Sequence, residues 1–232
     1  MTVRMRGREI DGILFDVDGT FYGKPEHDRI FDAIQCQLAV ALLAVSGNFE
    51  PSTDEIELMR SSYLSKVAEI GKWQQSFLDL GGSPDQYRIL AADADRSRHL
   101  SFNPELRLTL EELKTSPAKL GILTSAKTEV TENTCRKLLG DGWNNLFETV
   151  VCEDSLPGNI QKPNLLAFQF AIEKLDLSPE KVAMVGDSVG DDLMPAATLG
   201  MLTVYVGEKA DFGDLRISRI EDLKTLIEIP NP

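Results

Sequence analysis

Residues 10–20 read IDGILFDVDGT, and they restrict the fold more than any other stretch of the chain. Ile13, Leu14 and Phe15 form an uninterrupted apolar run that breaks off into Asp16 and Asp18, followed at once by Gly19 and Thr20. A short continuous apolar run suits a strand buried on both faces, which requires other layers above and below it. Where the run stops the backbone must turn, and Gly19 permits the turn. Side chains one residue apart share a face, so Asp16 and Asp18 repel unless something positive sits between them. Magnesium meets that need, because it prefers hard oxygen ligands and usually arrives with a phosphate. On these residues alone the lesser alternative is that the pair are turn-forming acids that cap the next helix.

Downstream, the texture of the chain changes twice. Residues 21–27 form a polar link, and residues 30–45 then carry Ile30, Ile34, Leu38 and Leu42 at helical spacing. Ser52 with Glu55 resembles a capping box that opens a second helix to about residue 70, closed by Gly71. Shorter helices are predicted at 72–80 and after Pro84, and Asn103 with Pro104 begins another that leads back toward the main body. Trp73 and Phe77, at helical spacing, read as the core of this helical region rather than a platform for stacking a base.

From residue 119 onward, strands alternate with helices. Residues 120–123, 149–152, 182–185 and 201–206 read as strands, and residues 127–139, 163–175 and 192–199 as helices. Such alternation implies a parallel sheet covered by helices on both faces. The domain reading is an α/β core formed by residues 1–20 and 116–232, interrupted after its first strand by a helical insert at 21–115. The terminal stretch from 208 shows only a plausible helix at 221–227.

Composition narrows the possible partners. With 24 basic and 37 acidic residues the net charge is −13, which repels nucleic acid and anionic lipid but not a small phosphorylated ligand held by local cations. No apolar stretch is long enough to span a bilayer, and the basic start lacks the apolar core of a secretory signal, so a cytoplasmic location is expected. Cys36, Cys135 and Cys152 are widely spaced and odd in number, which suits reduced thiols better than a disulfide set or a zinc site.

In a parallel sheet, ligands sit at the carboxyl ends of the strands, so the residues just past each run carry the function. After residue 123 come Thr124 and Ser125, hydroxyls that can hold phosphate oxygens; helix capping explains Thr124 equally well. Lys162 and Pro163 stand where a helix is predicted to start, and a lysine there opposes the helix dipole, which points to an anion nearby. After residue 185 comes Gly-Asp-Ser-Val-Gly-Asp-Asp, with Asp187, Asp191 and Asp192 crowded at the end of a buried strand, a costly arrangement without a cation.

Taken in order, Asp-x-Asp-Gly-Thr, Thr-Ser, Lys-Pro and Gly-Asp followed by an acid pair resemble the four motifs of the haloacid dehalogenase-like hydrolase superfamily. The resemblance covers residues 9–206 apart from the insert. It implies a Rossmann-like α/β core whose insert is a helical C1 cap domain. It also implies that Asp16 is the nucleophile and that Asp18 protonates the leaving oxygen and then activates water. By the same resemblance Thr124 and Lys162 bind the transferred phosphoryl group, with Ser125 beside them. Asp16, the backbone carbonyl of Asp18, Asp187 and Asp192, with Asp191 in reserve, would hold Mg2+. The residues around Thr20 to Ile34 look like the subgroup that contains pyrimidine 5′-nucleotidases, although Phe21-Tyr22 stands where that subgroup usually has Leu-Tyr.

The expectation is therefore a magnesium-dependent phosphatase that hydrolyses a small phosphorylated metabolite, such as a nucleoside monophosphate, through an aspartyl phosphate. A phosphomutase retains all four motifs, and a binding or regulatory protein can retain them without turnover. A haloacid dehalogenase lacks the second aspartate, so Asp18 argues against that activity.

Overall fold

The computed structural model describes residues 3–71, 73–92, 98–158, 160–208 and 212–228. In chain order β1 (Val3–Met5) and β2 (Arg8–Ile10) are followed by β3 (Gly12–Phe15), then by helices α1 (Lys24–Val45), α2 (Thr53–Ile70), α3 (Trp73–Asp79) and α4 (Pro84–Ala92). Next come α5 (Pro104–Thr115), β4 (Lys119–Leu123), α6 (Thr128–Leu139), β5 (Thr149–Val151), α7 (Leu165–Leu175), β6 (Val182–Gly186), α8 (Met194–Thr198), β7 (Leu202–Val206) and β8 (Leu215–Ile217). The chain forms two compact units, residues 1–24 with 100–232 and residues 25–99.

The first unit is built on a sheet in the order β5-β4-β3-β6-β7-β8, with every neighbouring pair parallel. The chain works outward from β3 through β4 to β5, then crosses back to β6 on the other side of β3. That reversal makes the carboxyl end of β3, between β4 and β6, the switch point at which α/β sheets bind ligands. The run that stood out in the sequence forms this central strand, and each residue of Gly12–Phe15 is buried. Gly12 admits the Leu177 side chain, which lies 2.5 Å from where a Cβ would be. On one face α7 lays Phe168, Ala171, Ile172 and Leu175 against Leu14, Val182 and Met184. Each large apolar side chain buried there contributes about 1.5–3 kcal/mol.

The helix expected to lead back to the main body, α5, is counted in the sheet unit. Leu106, Leu110 and Leu113 are buried, Asn103 donates to Glu221 at 3.0 Å, and Arg219 grips both oxygens of Glu105 at 2.8 and 3.0 Å. The compact units accordingly divide at 24/25 and 99/100, inside the 21–115 range read from sequence.

The sequence reading missed the antiparallel hairpin of β1 and β2, turned by Arg6 and Gly7 at positive φ, and also missed β8. Three-residue strands are too short to show an alternation. Asp214 anchors β8 to β7 by accepting from the Thr203 N–H at 3.0 Å and hydroxyl at 2.9 Å. The helix expected at 221–227 is a 3-10 turn over Ile220–Leu226.

The second unit is helical. α1 starts well before the expected residue 30, since Pro25 is tolerated in a first turn and Arg29 pairs with Glu26 at 2.7 Å. The capping box of α2 is formed, with Ser52 N–H donating to Glu55 Oε2 at 2.8 Å. Tyr63 and Phe77 are fully buried, with ring centroids 6.3 Å apart edge to face, and Tyr87 packs 5.8 Å from Phe77. Of the pair expected to be core, Phe77 is buried, whereas Trp73 is exposed, with its ring centroid 5.9 Å from that of Tyr63. Among the described residues no helix is long and apolar enough to cross a membrane.

Candidate active site

Register lines up the ends of three strands. Phe15 faces Ile122 of β4 on one side and Val185 of β6 on the other, so Asp16, Thr124 and Asp187 leave the sheet along one rim. The Asp16 N–H still donates to Val185 O at 2.9 Å, which extends the ladder by one residue and fixes where the carboxylate emerges. Beyond it, Val17 O accepts from Thr20 N–H at 3.2 Å and Phe21 N–H at 2.9 Å, closing a tight turn with Gly19 at φ 83°.

Asp16, Asp187 and Asp192 each offer a carboxylate oxygen, and these atoms lie within 4.8 Å of one another. Asp16 and Asp192 are buried, while Asp187 is partly exposed. The Lys162 ammonium, itself buried, donates to Asp16 Oδ1 at 2.6 Å and to Asp192 Oδ1 at 2.5 Å. Asp192 Oδ2 accepts from the Ser188 N–H at 3.0 Å. The Thr20 hydroxyl lies 3.4 Å from both Asp16 Oδ2 and Asp187 Oδ1.

One ammonium does not balance three carboxylates. Burial pushes the Asp16 carboxyl up to about 7; Lys162 opposes that rise, and the charges on Asp192 and Asp18 add to it. Asp187 is pushed up to about 6, by burial first and by Asp16 second, and burial likewise raises Asp192 despite Lys162. Burial by itself would lower Lys162, but Asp16 and Asp192 outweigh it and hold the ammonium above its ordinary range. A cluster in which every acid resists ionisation is short of positive charge. Its donors are hard oxygens, and their spread is close to the span of about 4.2 Å between opposite ligands of octahedral magnesium. The residues fit such an ion on both counts.

Two glycines make the cluster possible. A Cβ on Gly19 would lie 2.3 Å from Asp187 Oδ2, and one on Gly186 would lie 2.3 Å from Asp192 Oδ2. Gly19→Ala also faces its left-handed φ of 83°. We expect it to cost about 2 kcal/mol of stability, as read by thermal unfolding; an unchanged midpoint would mean that the turn tolerates a side chain beside Asp187.

The remaining candidates are less central. Asp18 is partly exposed, and its Oδ1 accepts from the Tyr22 hydroxyl at 2.6 Å. Thr124 is buried, and its hydroxyl accepts from Ala126 N–H at 3.2 Å, a bond inside the turn ahead of the helix; the helix itself starts at Thr128 with Lys127 as its N-cap, so Thr124 is not the cap that the sequence left open. Ser125 is exposed. Of the two neighbouring acids, Asp192 joins the cluster, whereas Asp191 is exposed and bonds Ser188 Oγ at 3.3 Å. The helix after Lys162 starts later than expected, at Leu165 with Asn164 as its N-cap. Lys162 is therefore not a helix-start residue at all, and its charge is met by Asp16 and Asp192 instead. Thr20, Tyr22 and Ser188 were not singled out as site residues in the sequence. Thr20 carried a signal, because it follows the Asp-x-Asp-Gly turn directly.

Residues 10–200 match the family model described as haloacid dehalogenase-like hydrolase. The chain belongs to that family and is an enzyme of its hydrolase class. Its relatives include the glyceraldehyde 3-phosphate phosphatase of Methanocaldococcus jannaschii, 28% identical over 95% of this chain and 96% of that one. The phosphoserine phosphatase of Thermus thermophilus is 28% identical over 58% of this chain and 52% of its own length. Among solved structures, a HAD phosphatase from Thermococcus onnurineus superposes with a TM-score of 0.68 at 25% identity, covering 93% of this chain and 97% of that one. Neither of these relatives is named as a nucleotidase.

Proposed function

We propose that this enzyme is a magnesium-dependent phosphatase that hydrolyses a small phosphorylated metabolite through a phosphoryl group carried on Asp16. The observation that carries the reading is the buried set of Asp16, Asp187 and Asp192 with Lys162 between two of them. The phosphatase names of the relatives that align over this chain support it.

Asp16, Asp187 and the Asp18 backbone carbonyl, with Asp192, would hold magnesium, and the ion would supply positive charge that offsets the charge of the phosphate. In the first step an Asp16 carboxylate oxygen attacks phosphorus as the phosphorus–oxygen ester bond breaks, and Asp18 gives its proton to the departing oxygen. In the second, Asp18, now ionised, takes a proton from water while the water oxygen attacks phosphorus, which frees inorganic phosphate and restores Asp16. Lys162 neutralises charge that accumulates on the transferred group, and Thr124 and Ser125 donate to its oxygens. The helical unit, residues 25–99, serves as the cap that selects the substrate.

Turnover of p-nitrophenyl phosphate with magnesium, lost on chelation and restored by readdition, tests this reading; no turnover under either condition would reject it. Magnesium at about a hundred times its dissociation constant should stabilise the protein by about 2.7 kcal/mol, a rise in Tm of roughly 5–10 °C. A panel of glyceraldehyde 3-phosphate, phosphoserine, sugar phosphates and nucleoside monophosphates then separates the substrate classes.

A further inference from the structure

The hydroxyl of Tyr22 lies 2.6 Å from Asp18 Oδ1 and donates to it. This contact is produced by a specific local construction. Val17 O accepts the N–H groups of both Thr20 and Phe21, so the chain doubles back directly after Gly19. Phe21 then plugs into the core, 2% exposed, with its ring 5.8 Å from Phe15 and 6.2 Å from Phe147. With Phe21 locked inward, Tyr22 is returned across the turn to the carboxylate four residues behind it. Tyr22 is itself 7% exposed, so its ring is held by packing and not only by this bond.

We infer that Tyr22 is a positioning residue that fixes the Asp18 side chain in the orientation from which it passes a proton to the leaving oxygen. The inference rests on the acid role proposed above for Asp18. An aspartate on a turn has two rotatable side-chain bonds, and the 2.6 Å bond from the packed Tyr22 ring restricts both of them in Asp18. Efficient proton transfer needs the donor within hydrogen-bond reach of the departing atom, so loss of orientation translates into lost rate. The effect belongs to the first chemical step and depends on how much the leaving group needs a proton.

That dependence supplies the test. Tyr22→Phe keeps the ring and removes only the oxygen. For an alkyl phosphate such as glycerol phosphate, whose alkoxide is a poor leaving group, kcat/KM should fall about tenfold, the scale set by one hydrogen bond acting through general acid catalysis. For p-nitrophenyl phosphate, whose phenolate leaves without help, kcat/KM should change less than about threefold, since general acid assistance has little to add. Thermal unfolding confirms that the variant is folded. Equal losses on both substrates would mark a structural role and overturn the inference, as would no loss on either. Asp18→Asn, measured beside it, keeps the two readings apart. If Asp18→Asn removes alkyl turnover while Tyr22→Phe does not, only the Tyr22 inference falls; if Asp18→Asn leaves it intact, the acid assignment fails and takes the Tyr22 role with it. In the Asp18→Asn background, Tyr22→Phe should have no further effect on the leaving-group dependence.

Discussion

Replacing Lys162 with alanine should damage both stability and catalysis, which few single changes at this site can do. In the metal-free protein the ammonium is the charge that Asp16 and Asp192 share, at 2.6 and 2.5 Å, in a buried setting. Its removal leaves two carboxylates uncompensated, a loss of about 3–5 kcal/mol for a broken buried pair. Addition of magnesium should recover part of that loss, because the ion brings charge back to the same carboxylates. With magnesium present, turnover should still fall by a factor on the order of a hundred, the size expected when one preorganised charge is taken from a transition state. Chemical denaturation with and without the ion, followed by steady-state kinetics, measures both quantities. A variant as stable as the parent in the absence of magnesium would show that the acids do not depend on Lys162.

Asp16→Asn separates catalysis from folding in the opposite way. The amide keeps the shape of the side chain but cannot attack phosphorus, so turnover should drop by roughly a thousandfold or more. The fold should survive. Burial raises the Asp16 carboxyl to about 7, which means the environment already opposes its charge, and Lys162 keeps Asp192 as a partner. A cooperative unfolding transition close to that of the parent is expected. Activity near the parent level would remove Asp16 from the role of nucleophile.

How much of this could be read from the chain depended on whether the signal was local. The central strand announced itself, because an apolar run ending in paired acids and a glycine has few other uses, and its four described residues are all buried. The α5 start at Asn103-Pro104 and the Ser52-Glu55 box also lay within single turns and were legible for that reason. The convergence of Asp16, Lys162, Asp187 and Asp192 was legible only through the order of the motifs, since the contact from Lys162 to Asp16 spans 146 positions. What sequence could not supply was direction within the turns. Lys162 looked like a residue at a helix start, yet it sits ahead of the helix and turns inward to two acids. The helix expected at 192–199 begins instead as a π-type turn over Val189–Leu193, which carries Asp192 into the core with Ser188 N–H on its second oxygen. The contact of Tyr22 with Asp18 was not legible, because it needs the doubling-back at Gly19, and no periodicity encodes that.

The central claim is that a phosphoryl group passes through Asp16, and trapping it there is the most direct test. The enzyme, mixed with magnesium and a turnover substrate, is quenched with borohydride, which reduces an acyl phosphate to the alcohol, and the digested peptides are read by mass spectrometry. The account predicts homoserine in place of aspartate at position 16, dependent on both substrate and magnesium and absent from Asp16→Asn. Reduction at a different residue, or brisk turnover in the parent enzyme with none at position 16, would contradict it.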